Sequence, residues 1–113
     1  MAWVVDRVHR IRDARARLAA LGSAGQDAIA SLDGSAGGGY PGRAVARGLV
    51  EISRSVAELQ AADIVLRDLD RGLVDFPSMR DGDEVYLCWL VDQEDEIGFW
   101  HEPDAGFAGR RAL

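Results

Sequence analysis

Apolar residues recur three or four positions apart at the start of the chain, with arginine or aspartate in most of the gaps. This period places the apolar side chains on one side of an α-helix, which the pattern predicts from Ala2 to Leu21. Gly22 follows directly, and glycine accepts the left-handed conformation in which many helices end. The apolar positions of this helix are Val4, Val5, Val8, Ile11, Ala14, Leu18 and Leu21.

A second helical pattern follows a glycine-rich run. Residues Gly34 to Gly42 are expected to be a flexible loop, although Ala28 to Leu32 can extend or restart a helix briefly before it. A helix is then predicted from Arg43 to about Ala62, with a seam of apolar residues that packs against another helix. The two helices should therefore form an antiparallel hairpin. The seam consists of Val45, Leu49, Ile52, Val56 and Leu59.

Strand-like patterns replace the helical period beyond Asp63. Three runs rich in β-branched and aromatic residues are Ile64 to Leu66, Val85 to Val91 and Glu96 to His101. Four polar residues, Asp92 to Asp95, separate the last two runs and predict a hairpin connection. The back half of the chain is therefore expected to be an antiparallel meander.

The segments between these runs have turn and loop chemistry. Arg80 to Asp83 contains the Asp-Gly dipeptide of a tight turn. Asp68 to Pro77 is expected to be an irregular turn in which Gly72 takes a special backbone angle. The tail from Pro103 onward has loop composition, and Phe107 is expected to anchor it against the body.

These elements indicate one α+β domain. The chain of 113 residues and 12.2 kDa fits a single modest core. We expect an N-terminal antiparallel helical hairpin, residues about 1–62, packed on a small antiparallel β-meander of three or four strands, residues about 63–113.

The predicted hairpin has two apolar faces. A four-residue connection pairs Cys88 with Phe99 and Tyr86 with His101, which sorts the side chains into two largely apolar sets. One helical hairpin covers only one face, so the other must meet a partner subunit, a ligand or the returning tail. We therefore expect a homodimer that buries part of Trp89, Trp100 or the Leu49 to Leu59 seam.

Charge is unevenly distributed along the chain. Residues 1–60 carry a net charge of +2 and residues 61–113 a net charge of −8, and every basic residue is arginine. The acidic half repels phosphate backbones, so nucleic acid is not an expected partner. No stretch approaches the roughly 20 apolar residues of a membrane span, and the single cysteine, Cys88, fits a reducing compartment. The expected location is the cytoplasm, with no membrane partner.

Three residues near the end of the predicted sheet have the chemistry of a metal site. Cys88 lies diagonal to His101 across the hairpin, and Glu102 follows His101. A thiolate and an imidazole can bind a divalent metal or haem iron, or can act as nucleophile and base. The alternatives are structural: Cys88 as a small buried hydrophobe, and His101 as a histidine in a surface loop.

A second polar cluster lies in the predicted turn. Asp70, Arg71, Asp75 and Arg80 can form ion pairs that stabilise an irregular connection. Alternatively, Asp70 and Asp75 converge with His101 and Glu96 as an oxygen and nitrogen ligand set, or as an acid and base pair around a small substrate that the arginines bind. Trp89 and Trp100 share a face of the hairpin. They can stack a planar ligand or serve as core or dimer contacts.

Four segments of the back half closely resemble a known bacterial family. The segments are Leu69 to Pro77, Val85 to Trp89, Glu96 to His101 and Asp104 to Arg110. They are similar to the family called domain of unknown function 2203, and the similarity covers nearly all of residues 59–110. The resemblance supports the fold and the unity of the module, and it implies no activity and no residue role.

The functional expectation is a small soluble protein with a site at the end of its β-sheet. The protein is expected to be a small enzyme or to bind a metal, a cofactor or a small ligand there. The alternative is a noncatalytic homodimeric interaction module that uses the aromatic hairpin as its interface.

Overall fold

The computed structural model describes residues 2–32 and 42–113 of the chain, which begin with helices. Helix α1 spans Ala2–Ala19, α2 spans Ser23–Leu32 and α3 spans Arg43–Ala61. The first and last agree closely with the predicted helices. The segment after Gly22 forms a helix of its own, α2, which begins earlier than the brief restart expected at Ala28 to Leu32, so the described residues contain a third helix beside the two of the predicted hairpin. Residues 34–41 of the predicted loop lie outside the described residues.

Backbone conformation explains where two of the helices end. Gly22 has φ 75° and separates α1 from α2, in the left-handed conformation expected of it. Asp63 has φ 59° at the end of α3, and the N–H of Ile64 donates to the carbonyl of Leu59 at 3.0 Å. This bond closes the last turn as glycine-capped helices do, with aspartate in the left-handed position.

The described chain divides into two compact units. One contains Asp6–Ala57, and the other contains Glu58–Leu113 with the residues up to Val5. Within the helical unit, Gly48 of α3 lies against the side chain of Leu18 in α1, where a Cβ atom would come within 2.7 Å. Gly25 of α2 lies against the backbone carbonyl of Leu18. Two glycines therefore permit close approach of both later helices to the end of α1.

The second unit contains a five-stranded antiparallel sheet in which every strand pairs with its neighbours in sequence. The predicted meander topology is confirmed, and the predicted count of three or four strands is wrong. The strands are β1 Val65–Asp68, β2 Leu73–Arg80, β3 Asp83–Leu90, β4 Phe99–His101 and β5 Arg111–Ala112.

Two of the five strands lie in segments expected to be irregular. Strand β2 occupies the second half of the predicted turn, and it contains Pro77, which lacks the N–H that a central strand requires. Strand β1 pairs only with Leu73 to Asp75, so β2 has a single neighbour at Pro77 and tolerates it. The tail contains a short 3-10 helix, Phe107–Gly109, and strand β5.

The turns and register of the central hairpins follow the sequence closely. Asp81 and Gly82 have φ 53° and 86°, the left-handed values that a tight two-residue hairpin turn needs. Cys88 pairs with Phe99 and Tyr86 with His101, as predicted. The connection between β3 and β4 covers residues 91–98 and is longer than the four residues expected.

Glu94 closes this longer connection. Its backbone carbonyl accepts a hydrogen bond from Trp89 Nε1 at 2.8 Å, and its carboxylate Oε1 accepts one from the Leu90 N–H at 2.8 Å. Both donors lie at the end of β3, so one residue anchors the loop to the strand.

Both faces of the sheet carry buried side chains. On one face Leu73, Cys88 and Leu90 form a cluster against which Phe99 and Phe107 pack, so the returning tail contributes to its cover. On the other face Val74, Val85 and Trp89 are also buried. Across residues 2–32 and 42–113, no helix combines the length and apolar character needed to cross a bilayer.

Candidate functional site

Strands β2, β3 and β4 bring three potential metal ligands together. Asp75 pairs with Cys88, and His101 pairs with Tyr86, two residues before Cys88. Residues two apart on a strand share a face, so all three side chains lie on the same side of the sheet. Asp75 is 2% exposed, Cys88 0% and His101 2%. One ligating atom of each lies within 4.8 Å of the other two.

The Asp75 carboxylate is the centre of this cluster. Its Oδ2 accepts a hydrogen bond from Arg67 Nε at 2.8 Å and lies 2.9 Å from His101 Nε2. Its Oδ1 is buried and has no hydrogen-bond partner among the described residues. A buried carboxylate oxygen without a donor costs free energy. A donor or a cation at Oδ1 would therefore stabilise the site.

The two ring nitrogens of His101 have different partners. Nδ1 lies 2.7 Å from the backbone carbonyl oxygen of Glu102, which can only accept, so Nδ1 donates. A neutral imidazole has one N–H, so Nε2 then presents a lone pair to the Asp75 carboxylate. Two acceptors do not attract each other. A proton or a cation shared by Nε2 and the carboxylate oxygen would make the 2.9 Å contact favourable.

Cys88 is a buried thiol with an arginine beside it. Burial raises the pKa of the thiol, and the negative charge of Asp75 raises that pKa further. Arg110 opposes both effects, because its hydrogen bond and its positive charge lower the pKa. The balance is a raised pKa, so in the absence of another cation Cys88 stays protonated at neutral pH.

Aromatic rings and one carboxylate hold Arg110 near Cys88. The guanidinium lies 3.9 Å from the ring centroid of Phe99 and 4.4 Å from that of Phe107. Arg110 Nη1 lies 3.2 Å from Glu94 Oε1, and both side chains are mostly buried. Stacking and ion pairing together restrict the guanidinium to one position.

A small cleft opens beside two of the three clustered residues. Its volume is about 250 Å³. Asp75 and His101 lie in its wall, and Cys88 does not. The remaining wall combines apolar and charged residues, which are Arg67, Leu73, Pro103, Asp104, Gly106 and Phe107.

The structure brings together only part of the predicted site. His101, Cys88 and Asp75 meet, and the burial of His101 shows that the surface-loop alternative is wrong. Glu102 contributes its backbone carbonyl, while its carboxylate is 55% exposed and lies 3.8 Å from Arg111. Asp70 is exposed in the connection between β1 and β2 and is not part of the cluster.

The predicted ligand-binding residues lie elsewhere. Arg71 stacks on Phe107, with its guanidinium 4.1 Å from the ring centroid. Arg80 lies 4.7 Å from the ring centroid of Trp100, and both line a separate groove of about 590 Å³. Trp89 is buried and bonded to Glu94, so it offers no surface to a planar ligand.

Two arginines of the site, Arg67 and Arg110, were not identified from the sequence. Arg67 lies on β1, and its contact with Asp75 becomes visible only once Asp75 is placed on a strand that pairs with β1. Recognising that hairpin would have revealed it. Arg110 reaches Cys88 because the tail returns to the sheet, and no periodic signal in the sequence reports that return.

Comparison with known proteins places the chain in a family. The model of an uncharacterized conserved protein family, DUF2203, matches residues 1–113, so the chain belongs to that family and the resemblance noted in the sequence is confirmed. No match to the chain was found among curated proteins or among solved structures.

Proposed function

We propose that this member of the DUF2203 family binds one transition metal ion of the zinc type. The ligands are Asp75, Cys88 and His101. The observation that carries the proposal is the meeting of three buried ligand atoms within 4.8 Å, at a carboxylate whose Oδ1 has no partner among the described residues.

The ligand set selects the class of metal. A thiolate with an imidazole suits zinc and similar borderline or soft ions, whereas calcium and magnesium prefer oxygen ligands alone. The neighbouring cleft, at about 250 Å³, is below the roughly 300–1,000 Å³ of pockets for drug-sized ligands. A bare ion therefore fits better than haem.

The hydrogen bonds around the three residues favour the same conclusion. The Glu102 carbonyl fixes the proton on His101 Nδ1 and leaves Nε2 free to ligate, which is the arrangement of zinc-binding histidines. Arg67 orients the Asp75 carboxylate, and Arg110 stabilises a Cys88 thiolate. Each proposed ligand thus has an outer partner that prepares it.

Metal binding would also resolve the unfavourable features of the cluster. A cation held by His101 Nε2 and Asp75 would take the place of the proton that these two groups otherwise have to share. The same ion would favour the Cys88 thiolate, with the thiol proton released to solvent, despite the raised pKa of that thiol. Bond lengths of about 2.0–2.3 Å in a tetrahedron place ligand atoms about 3.5 Å apart. The ligand atoms of the cluster lie within 4.8 Å of one another, so the more distant atoms would move closer, while Nε2 and Oδ2, now 2.9 Å apart, would separate slightly.

Loading with zinc or cobalt tests the proposal. Protein stripped with a chelator should take up one ion per chain, and Co²⁺ should show the intense near-ultraviolet band of a thiolate ligand. Cys88→Ser, His101→Gln and Asp75→Asn should each weaken binding by more than the about 10- to 100-fold that losing an outer partner costs.

Asp70→Asn is the matched control, since Asp70 is an exposed carboxylate of the same unit. It should bind as the wild type does. Thermal melting in chelator separates a lost ligand from a lost fold. No uptake by folded wild type, or equal binding by all variants, would overturn the proposal and leave His101 and Asp75 as an acid and base pair.

A reducing, cytoplasmic location belongs to the same proposal, because a thiolate ligand must stay reduced when the metal dissociates.

An antiparallel course of α1 and α3 is also proposed. The contact of Leu18 with Gly48 and the 3.5 Å approach of Arg10 to Glu51 support it.

A further inference from the structure

We infer that the cleft beside the cluster binds a short-chain organic monocarboxylate, whose carboxylate group occupies the open coordination position of the metal. This inference rests on the proposed metal site and extends it. It assigns a ligand class to a cleft lined by Arg67, Leu73 and Phe107 as well as by Asp75 and His101.

The position of Cys88 decides which side of the ion is open. Cys88 is completely buried within β3 and does not line the cleft, whereas Asp75 and His101 do. An ion held by all three therefore has β3 behind it and the cleft in front. Three protein ligands leave one position of a tetrahedron free, as in catalytic zinc sites, and here that position faces the cleft.

Charge favours an anion with a single negative charge. The two positive charges of the ion are balanced by the Cys88 thiolate and the Asp75 carboxylate, which leaves the guanidinium of Arg67 as the positive side chain that lines the cleft. A guanidinium has five N–H donors, and the one on Nε is used by Asp75. Asp104, exposed at the same cleft, repels a second negative charge. A monocarboxylate is therefore preferred to dianionic phosphate.

The rest of the cleft favours a hydrocarbon chain. Leu73, Pro103 and Phe107 supply apolar surface next to the charged end. The volume of about 250 Å³ limits the length of the chain. Each buried methylene adds binding free energy, so affinity should rise from acetate to butyrate.

Spectroscopy of the Co²⁺-loaded protein tests the inference with butyrate, acetate and inorganic phosphate as probes. Butyrate should change the visible Co²⁺ bands saturably, and it should bind several-fold more tightly than acetate and more tightly than phosphate. Arg67→Met should weaken butyrate binding by about tenfold or more. Arg80→Met is the control, because Arg80 lines the other groove and should leave butyrate binding unchanged.

Arg67→Met also removes a hydrogen bond to Asp75, so a second variant that leaves this bond intact is needed. Asp104→Asn should bring phosphate affinity closer to butyrate affinity while it leaves cobalt binding unchanged. If the protein binds cobalt but none of the three anions changes the Co²⁺ spectrum, the carboxylate inference is wrong and the proposal of a metal site is unaffected. Equal butyrate affinity in Arg67→Met, or unchanged phosphate affinity in Asp104→Asn, would also overturn it. Failure to bind cobalt would overturn both proposals.

Discussion

His101 Nε2 lies 2.9 Å from Asp75 Oδ2, although the two residues belong to strands that are not neighbours in the sheet. The contact reaches across β3, from β4 to β2, on the face that also carries Cys88. The buried pair therefore ties three strands together. Changing either residue should affect both the stability of the sheet and the chemistry of the cluster.

Replacing His101 with alanine should lower the free energy of unfolding of metal-free protein by about 2–4 kcal/mol. The change leaves a cavity at a buried position and removes one partner of the Asp75 carboxylate, which keeps Arg67. Urea denaturation with chelator present measures the loss. His9→Ala, at a half-buried helix position, is the control and should cost less than about 1 kcal/mol. Equal costs for the two variants would show that the His101 contact adds nothing to stability.

Cys88 should make the stability of the metal-free protein depend on pH in the alkaline range. The pKa of the thiol is raised in the folded state, chiefly by burial, so folding keeps a proton that the unfolded chain loses near pH 8.5. The free energy of unfolding should therefore be unaffected by this group below about pH 8 and should fall as pH rises toward the folded pKa.

Denaturation curves measured from pH 7 to pH 10 test this, with Cys88→Ala as the comparison. In Cys88→Ala, the free energy of unfolding should fall less between pH 8 and pH 10 than it does in the wild type. The same burial predicts slow reaction of native Cys88 with thiol reagents, and denaturant should accelerate it. Rapid labelling of the native protein would contradict the prediction.

Glu94 should contribute to stability although it lies in a loop. Glu94→Ala removes the acceptor for the Leu90 N–H and the ion pair of Arg110. We expect a loss of about 1–3 kcal/mol in the free energy of unfolding. Glu96→Ala, at an exposed site two residues later, should change it by less than about 0.5 kcal/mol. Chemical denaturation of both variants distinguishes a specific anchor from a general effect of loop charge.

Gly25 should be intolerant of alanine even though alanine is the better helix former. A Cβ atom at Gly25 would overlap the backbone carbonyl of Leu18, so the helices must move apart. We expect a loss of about 2 kcal/mol or more. Gly98→Ala is the control, because open space surrounds that position, and it should change stability by less than about 1 kcal/mol. Thermal melting of the two variants provides the comparison.

The homodimer remains a prediction, and the structure reduces the number of residues that could form its interface. Trp89, Ile52 and Leu59 are buried within the single chain, whereas Trp100 is only half-buried. A dimer should therefore protect Trp100 from quenchers. Sedimentation at micromolar concentration, with fluorescence quenching of wild type and Trp100→Phe, tests this. A monomeric mass would contradict the prediction.

The sequence alone predicted those features that depend on local pattern. The apolar period located α1 and α3, and the Asp-Gly dipeptide located the turn after β2. The polar segment Asp92 to Asp95 predicted the pairing of Cys88 with Phe99. It also identified Cys88, His101 and Asp75 as candidates, because thiol, imidazole and carboxylate carry recognisable chemistry. These features depend on residues that are close in the sequence, so the sequence predicts them directly.

Tertiary structure decided the rest. Strand β2 could not be predicted because it contains Pro77 and charged residues. Whether a strand tolerates proline depends on where the adjacent strand ends, which the sequence does not show. The contacts of Arg67 with Asp75 and of Arg110 with Cys88 depend on pairing between distant segments and on the return of the tail. Burial likewise left Oδ1 of Asp75 without a partner among the described residues. Residue order identified which groups have the chemistry, and long-range packing selected which of them meet.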